Sequence, residues 1–488
     1  RITLTAAALA LSASAALAQQ QGVSKDEIVL GTIQDLSGPL AGFGKQIRLG
    51  MNLRVDEINE QGGINGRKIK FVAKDDMYNP ATTQAQTSTL LLSDKIFAMY
   101  GAFGTDQHST VIDTLNKRGV PDVFINTGAS QFGNVKKYPT TIPYLPSYAV
   151  EAKAMTYYIQ NTPALSGLKA CFMYQDGDFG IDASNGFKAA GMTFATTTSF
   201  AAANIAAGFA SQVVKMKTAG CQLVTFFGIT QATAALLATS AKVGFAPTWM
   251  VTSVGSEPTI IKGILGAAAT KLMNKMYTPS FLTPITDLGN PYVSQMKTLV
   301  EASNLPWNFY TYYGVNTAYV LSQAIKAAGP DLTRKGLLNA LQTKASSFRS
   351  AASVPMVVTT TSHQGLTGYW MGQYDSAGTL GRLTDYVMLA TSAPTGGAKK
   401  AVYTPVGPTT TWPPSGALAV APVGKARRGS RTGWRLGAGG ASAAPSSLAR
   451  GRICRRTHRP PNLNPPKTAG RSPARRVEGS AQADGPRR

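Results

Sequence analysis

Apolar and polar residues alternate along the chain in two rhythms, and the changes of rhythm mark the elements. Residues 28–33, Ile-Val-Leu-Gly-Thr-Ile, read as a buried strand, and Ile47, Met51, Val55 and Ile58 then follow at helical spacing. The same alternation predicts strands at 69–73, 97–100 and 123–125, with helices at 45–61, 80–93 and 107–117. Gly62 and Gly63 end the first helix, as glycine accepts the left-handed backbone that follows a helix. Repeated strand–helix units predict a parallel sheet covered on both faces.

The pattern then restarts. A helix at 148–161 leads to strands at 170–174, 192–197, 223–227 and 248–251, alternating with helices at 181–190, 209–219 and 232–243. The chain therefore reads as α/β, with two similar parallel-sheet lobes in tandem. Proline-bearing segments near Pro143 and Pro279 separate the blocks. Helices at 291–303, 309–328 and 333–341 have no strands of their own and are expected to complete an earlier sheet. From about Thr391 the signal fades into Pro, Gly and Thr. Beyond Ala421 the chain is almost wholly Arg, Gly, Pro, Ala and Ser, too little apolar material to offset the entropy of ordering.

Charge sharpens this division. The net charge is +24 over 488 residues. From Ala421 onward, 2 Lys and 14 Arg face only Glu478 and Asp484, so +14 lies in the tail and +10 in the rest. The body is only moderately basic, and no nucleic-acid partner is expected. The tail reads as a non-native extension rather than a binding arm. The alanine-rich run that ends in Ala16-Leu17-Ala18 reads as a signal peptide over 1–18, truncated at its charged start. No other stretch has the ~20 apolar residues of a membrane span. A soluble, exported, periplasmic protein is expected. Export permits a disulfide between Cys171 and Cys221, with two separate buried thiols an equal alternative.

Catalytic and cofactor motifs fail one by one. Gly42-Phe-Gly44-Lys-Gln-Ile47 puts Ile where a dinucleotide fingerprint needs its third glycine, and Gly-Lys-Gln is not a P-loop. No G-x-S-x-G occurs. His108 has no nucleophile placed beside it and reads as a surface histidine. Asp75 and Asp76 read as structural or hinge-lining. No Cys/His cluster has metal spacing. No cofactor, no metal and no enzymatic activity are expected.

The strand-to-helix turns carry what chemistry there is. "YGAFGTDQHS" presents Phe103, Gly104 and Thr105. "INTGASQFG" presents Gly128 and Ser130, "YQDGDFG" presents Asp178 and Phe179, and "FFGITQA" presents Thr230. In parallel sheets such turns gather at the carboxyl ends of the strands, where ligands bind. Hydroxyls and backbone N–H groups at helix starts suit a carboxylate, and Phe43, Phe103 and Phe179 suit an apolar group.

These residues carry a resemblance. Residues 28–76, with Ser37-Gly38-Pro39, Gly44, Glu57-Ile58-Asn59, Gly62-Gly63-Ile64-Asn65-Gly66 and Asp75-Asp76, resemble type I periplasmic solute-binding proteins of the branched-chain amino acid class. "YGAFGT", "RGVPDVFINTGAS" and "HQGLTGYWMGQYD" extend the resemblance over about 25–388. It implies two Rossmann-like lobes joined by a three-crossover hinge. The expected division is 25–145 with 279–352 for the first lobe, 146–278 with 353–390 for the second, and 391–420 as a linker.

The resemblance implies that Gly104, Thr105, Gly128 and Ser130 hold a ligand carboxylate. Phe43 would line the pocket, Phe179 would close it, and Thr230 would contribute a further contact. The residue that would hold an amino acid's ammonium falls near Ser253, which is not acidic; Glu257 and Asp178 are the alternatives. A buried ammonium needs a compensating charge. A ligand without one, such as an aromatic carboxylate, therefore stands beside a branched-chain or hydrophobic amino acid. The implied partner is an ABC permease in the inner membrane, the protein itself being a monomer. A sensory ligand-binding module on the same fold is the alternative role.

Overall fold

The computed structural model describes residues 20–403 and residue 407. The expected signal peptide at 1–18 and the basic tail at 421–488 lie outside the described residues.

The first five strands form one parallel sheet, in the order β2-β1-β3-β4-β5. They are β1 (Glu27–Gln34), β2 (Lys68–Asp75), β3 (Ala98–Tyr100), β4 (Asp122–Val123) and β5 (Thr141–Ile142). Its faces are covered as the pattern requires. Ile28 and Leu30 of β1 join the main core, while Ile33 points the other way to pack with Leu90, Ile96 and Met99.

The second sheet begins with β6 (Ala170–Gln175), β7 (Thr197–Phe200), β8 (Leu223–Phe227), β9 (Thr248–Val251) and β10 (Tyr277–Ser280). These five are parallel to one another. Later strands extend the sheet antiparallel beside β10: β11 (Gly368–Tyr374), β12 (Leu380–Arg382), β13 (Tyr386–Leu389) and β14 (Lys399–Val402). Cys171 and Cys221 are joined in a disulfide inside this sheet's core, with Cα atoms 5.8 Å apart.

The strandless helices behave as expected. Helix Phe309–Ala327 packs along Ala41–Glu60, which follows β1. Two glycines permit the close approach. A Cβ at Gly50 would lie 2.1 Å from the Thr311 carbonyl oxygen, and one at Gly314 would lie 2.2 Å from that of Ile47. This contact carries Phe309, Tyr310 and Tyr313 to the ends of the first-sheet strands.

Four expectations are corrected. The strand placed at 192–197 lies at Thr197–Phe200, because Met192 and Phe194 pack into the core from the preceding loop. The helix placed at 107–117 is two, Thr105–Ser109 and Ile112–Lys117. The break falls where the Thr110 hydroxyl donates to the Gln107 carbonyl (2.7 Å), a local bond that competes with the helix. The segment from 391, expected to be a linker, adds the edge strand β14, and Lys153 Nζ donates to the carbonyls of Thr391 and Ala393. His108 is not on the surface: it is 1% exposed, with Nε2 2.7 Å from Asp122 Oδ2.

Candidate functional site

The glycine-rich turn after β1 uses its backbone donors internally. The amides of Gly38 and Leu40 donate to the two carboxylate oxygens of Asp35, at 2.5 and 2.6 Å. A Cβ at Gly44 would lie 2.1 Å from the Asp35 carbonyl oxygen, so only glycine fits there. The turn is therefore wound around Asp35, and it presents Phe43 from the first turn of the following helix.

The turn after β2 is fixed in the same way, by Asp75 and Asp76. The Met77 amide donates to Asp75, the Tyr78 amide donates to Asp76, and the Thr83 hydroxyl donates to Asp76. Met77 and Tyr78 hold φ of 53° and 55°. Two successive non-glycine residues in the left-handed region are costly, about 1 kcal/mol or more each, and persist only where their surroundings hold them. So held, Tyr78 places its ring at the cleft between the two sheets.

There a cavity of about 70 Å³ is bounded by eight aromatic side chains: Phe43, Tyr78, Phe103, Tyr148, Phe179, Phe309, Tyr310 and Tyr313. Phe43 packs on Tyr310 and Phe103, with ring centroids 4.5 and 6.2 Å away, and Phe179 packs on Tyr148 at 4.5 Å. Ile47, Leu145, Ile229 and Val254 complete the apolar lining.

The polar lining is sparse and almost wholly neutral. Thr105 Oγ1 lies 2.6 Å from Thr127 Oγ1, which lies 3.5 Å from the Tyr148 hydroxyl. Burial pushes the Tyr78, Tyr148 and Tyr313 hydroxyls upward, so they remain neutral donors. Tyr313, Gln175 and Asn126 are among the lining residues, and the Tyr313 hydroxyl, Gln175 Oε1 and Asn126 Oδ1 have no hydrogen-bond partner from the protein, the hydroxyl able to donate and the two amide oxygens to accept. Buried polar groups are normally paired, so three unpaired ones on residues of one cavity wall suit a ligand with a polar end. Among the described residues Asp106 is the only charged one in the lining, and it sits exposed at the rim.

The sequence-derived candidates divide into three groups. Phe43, Phe103, Gly104, Thr105 and Phe179 are brought together around this cavity. Gly128, Ser130 and Asp178 lie beside it instead. Gly128 and Ser130 border a hollow of about 10 Å³, room for roughly one water. The Ser130 hydroxyl and amide both donate to Asp182, as does the Ala149 amide (3.0 Å). Asp178 accepts from Gln131 Nε2 at 2.8 Å. Ser130, expected to hold a carboxylate ligand, thus holds the carboxylate of Asp182 instead. Burial raises the Asp182 pKa although these hydrogen bonds oppose the shift.

The third group lies deeper. Thr230 is fully buried, its hydroxyl 3.3 Å from the Val254 carbonyl and 3.2 Å from the Tyr310 hydroxyl. Ser253 borders a separate cavity of about 150 Å³ with Glu257. Glu257 caps the helix Pro258–Leu265 by accepting from the Ile260 amide (2.9 Å). Neither residue lines the aromatic cavity, so neither expected ammonium partner in this region reaches it. Tyr78, Asp106, Tyr148, Gln175, Tyr310 and Tyr313 were missed. The signal for the last two was the aromatic-rich start of their helix, "NFYTYYG".

Among the described residues no group of three or more His, Cys, Asp or Glu could hold a metal ion. No described helix is long and apolar enough to cross a membrane.

A family model described as Periplasmic binding protein matches residues 27–379. A Leu/Ile/Val-binding protein homolog of Brucella melitensis is 27% identical over 206 residues, covering 41% of this chain and 54% of the relative. The matched stretch thus spans about half the length of that relative. Two solved structures share the fold at low identity. A branched-chain amino acid ABC transporter protein of Thermus thermophilus with bound valine has a TM-score of 0.66 at 16% identity, over 76% of this chain and 98% of that one. A solute-binding protein of R. palustris in complex with benzoate has a TM-score of 0.62 at 19% identity, over 77% and 98%. Two α/β lobes with the cavity at the carboxyl ends of their parallel strands, and a family match over most of the described residues, agree: the chain belongs to the periplasmic binding protein family.

Proposed function

We propose that the protein is the extracytoplasmic substrate-binding component of an ABC importer, capturing a small apolar carboxylate that lacks an ammonium group. One observation carries the choice of ligand: the cavity is walled by eight aromatic rings and holds no buried acid. An ammonium enclosed there would have no compensating charge, a cost of several kcal/mol. A carboxylate would meet the Thr105 and Tyr313 hydroxyls and the Gln175 amide, and charged-to-neutral hydrogen bonds of this kind stabilise an anion. The benzoate held by the R. palustris relative and the valine held by the Thermus relative are the two chemistries to separate. The domain division expected from the sequence is retained here, with closure of the two lobes enclosing the solute for delivery to the membrane permease.

A thermal-shift screen of amino acids against aromatic acids tests this reading. Aromatic acids are expected to raise the melting temperature and to be recovered unchanged. Stabilisation by leucine and by no aromatic acid overturns the choice of ligand, and recovery of a converted product overturns the binding role.

A further inference from the structure

The aromatic cavity is not where the apolar space ends. A broad groove of about 660 Å³ runs along the mouth of the cleft. Its floor is one face of helix Thr230–Lys242, where Gln231, Ala234, Ala235 and Ala238 recur at helical spacing. One wall is the short segment Ala202–Ala207, of sequence AANIAA. The opposite wall is Pro39 and Leu40, and Ile264, which is 52% exposed, stands at the edge. Among the described residues no charged one lines the groove. Gln231 is occupied, its Nε2 donating to the Pro39 carbonyl (3.3 Å) across the cleft.

Tyr78 and Ile229 line both the groove and the aromatic cavity. The two hollows therefore meet at these side chains. The strained Tyr78 backbone fixes one of them at that position. We propose that the groove receives the tail of an elongated ligand whose acidic end sits in the aromatic cavity: an aromatic or aliphatic acid bearing an alkyl extension. This rests on the ligand-binding reading above.

Two observations favour a ligand tail over a protein partner. The groove persists although Gln231 and Pro39 already join its two walls, so closing the cleft does not fill it. Its lining is dominated by alanine, which leaves a channel and lacks the Trp, Met and Arg anchors that enrich protein interfaces.

Calorimetric titration of the protein with benzoate and a series of 4-alkylbenzoates, from methyl to octyl, tests the proposal. Affinity is expected to rise about fourfold for each methylene that enters the groove. Ala235→Trp places an indole across the groove floor and is expected to return the octyl compound towards the affinity of benzoate, with benzoate itself changed by less than about twofold. Ile264→Gln, at an exposed position where folding is not at risk, is expected to flatten the rise. Benzoate binding with affinity that stays level or falls with chain length overturns the groove and leaves the proposed function standing. So does an Ala235→Trp loss of the same size for benzoate and for the octyl compound. Binding of leucine, with none of the aromatic acids bound, overturns both.

Discussion

Two parts of the same cleft are built on opposite principles. Around Phe43, Phe179 and Tyr310 the lining is aromatic, with three polar groups left unpaired by the protein. Beside it, around Ser130, the contact is polar and fully engaged: Asp182 takes the Ser130 hydroxyl and amide and the Ala149 amide, and Asp178 takes the Gln131 side chain. The first region leaves one hydroxyl, on Tyr313, and two amide oxygens, on Gln175 and Asn126, without a protein partner; the second engages its donors in joining one half of the protein to the other. On the proposed function, selectivity belongs to the cavity, because its walls would meet different ligands differently. The polar contact contributes alike to every closed complex, since it touches none of them.

The largest effect is expected inside the cavity. Phe179→Ala removes a ring packed at a tilt against Tyr148 and is expected to weaken the preferred aromatic acid by about 3 kcal/mol, roughly 100-fold, with a smaller loss for a short aliphatic acid. Equal losses for both acids in calorimetry would break the assignment of selectivity to this wall.

Next comes Glu151, behind the cleft, which accepts from the Thr252 hydroxyl, the Ser253 amide and the Tyr369 hydroxyl. Burial pushes its carboxyl from 4.5 to about 7, against the pull of these bonds. Between those values the folded protein holds a proton that the unfolded chain has released. Stability is therefore full below about 4.5 and falls as pH rises towards 7, by up to about 3 kcal/mol. Glu151→Gln is expected to reduce the fall in melting temperature across that window while leaving the order of ligand preference unchanged. A changed preference would show that the groups behind the cleft also select.

The smallest effect is assigned to the polar contact. Asp182→Asn is expected to weaken all ligands by a common ~1–2 kcal/mol, and to raise the open population seen by small-angle scattering. A loss confined to one ligand would place Asp182 in the binding site.

The sequence disclosed the sheets more fully than the site. Strand β1 and the Ala41–Glu60 helix follow directly from apolar spacing, as does the Leu223–Phe227 strand, because burial on fixed faces dictates periodicity. Phe43, Phe103, Thr105 and Phe179 were legible because each sits in or just past a strand-to-helix turn of a parallel sheet. Ser130 and Asp178 sit in such turns too, yet they serve the contact between the halves. Turn position alone does not say whether a side chain faces a solute or another loop. The aromatic run holding Tyr310 and Tyr313 was legible but its place was not, since Gly50 and Gly314 bring that helix to the cavity from far along the chain. Nor was Asp106 weighed, although it is the one carboxylate at the rim.

That carboxylate gives the most direct test of the central claim. Calorimetry of the protein and of its Asp106→Asn variant, each titrated with benzoate and with leucine, asks whether the site needs an acid. Benzoate is expected to bind both forms within about threefold of one another, and leucine to bind neither. Tight leucine binding that disappears in Asp106→Asn would contradict the account, because Asp106 would then be holding an ammonium.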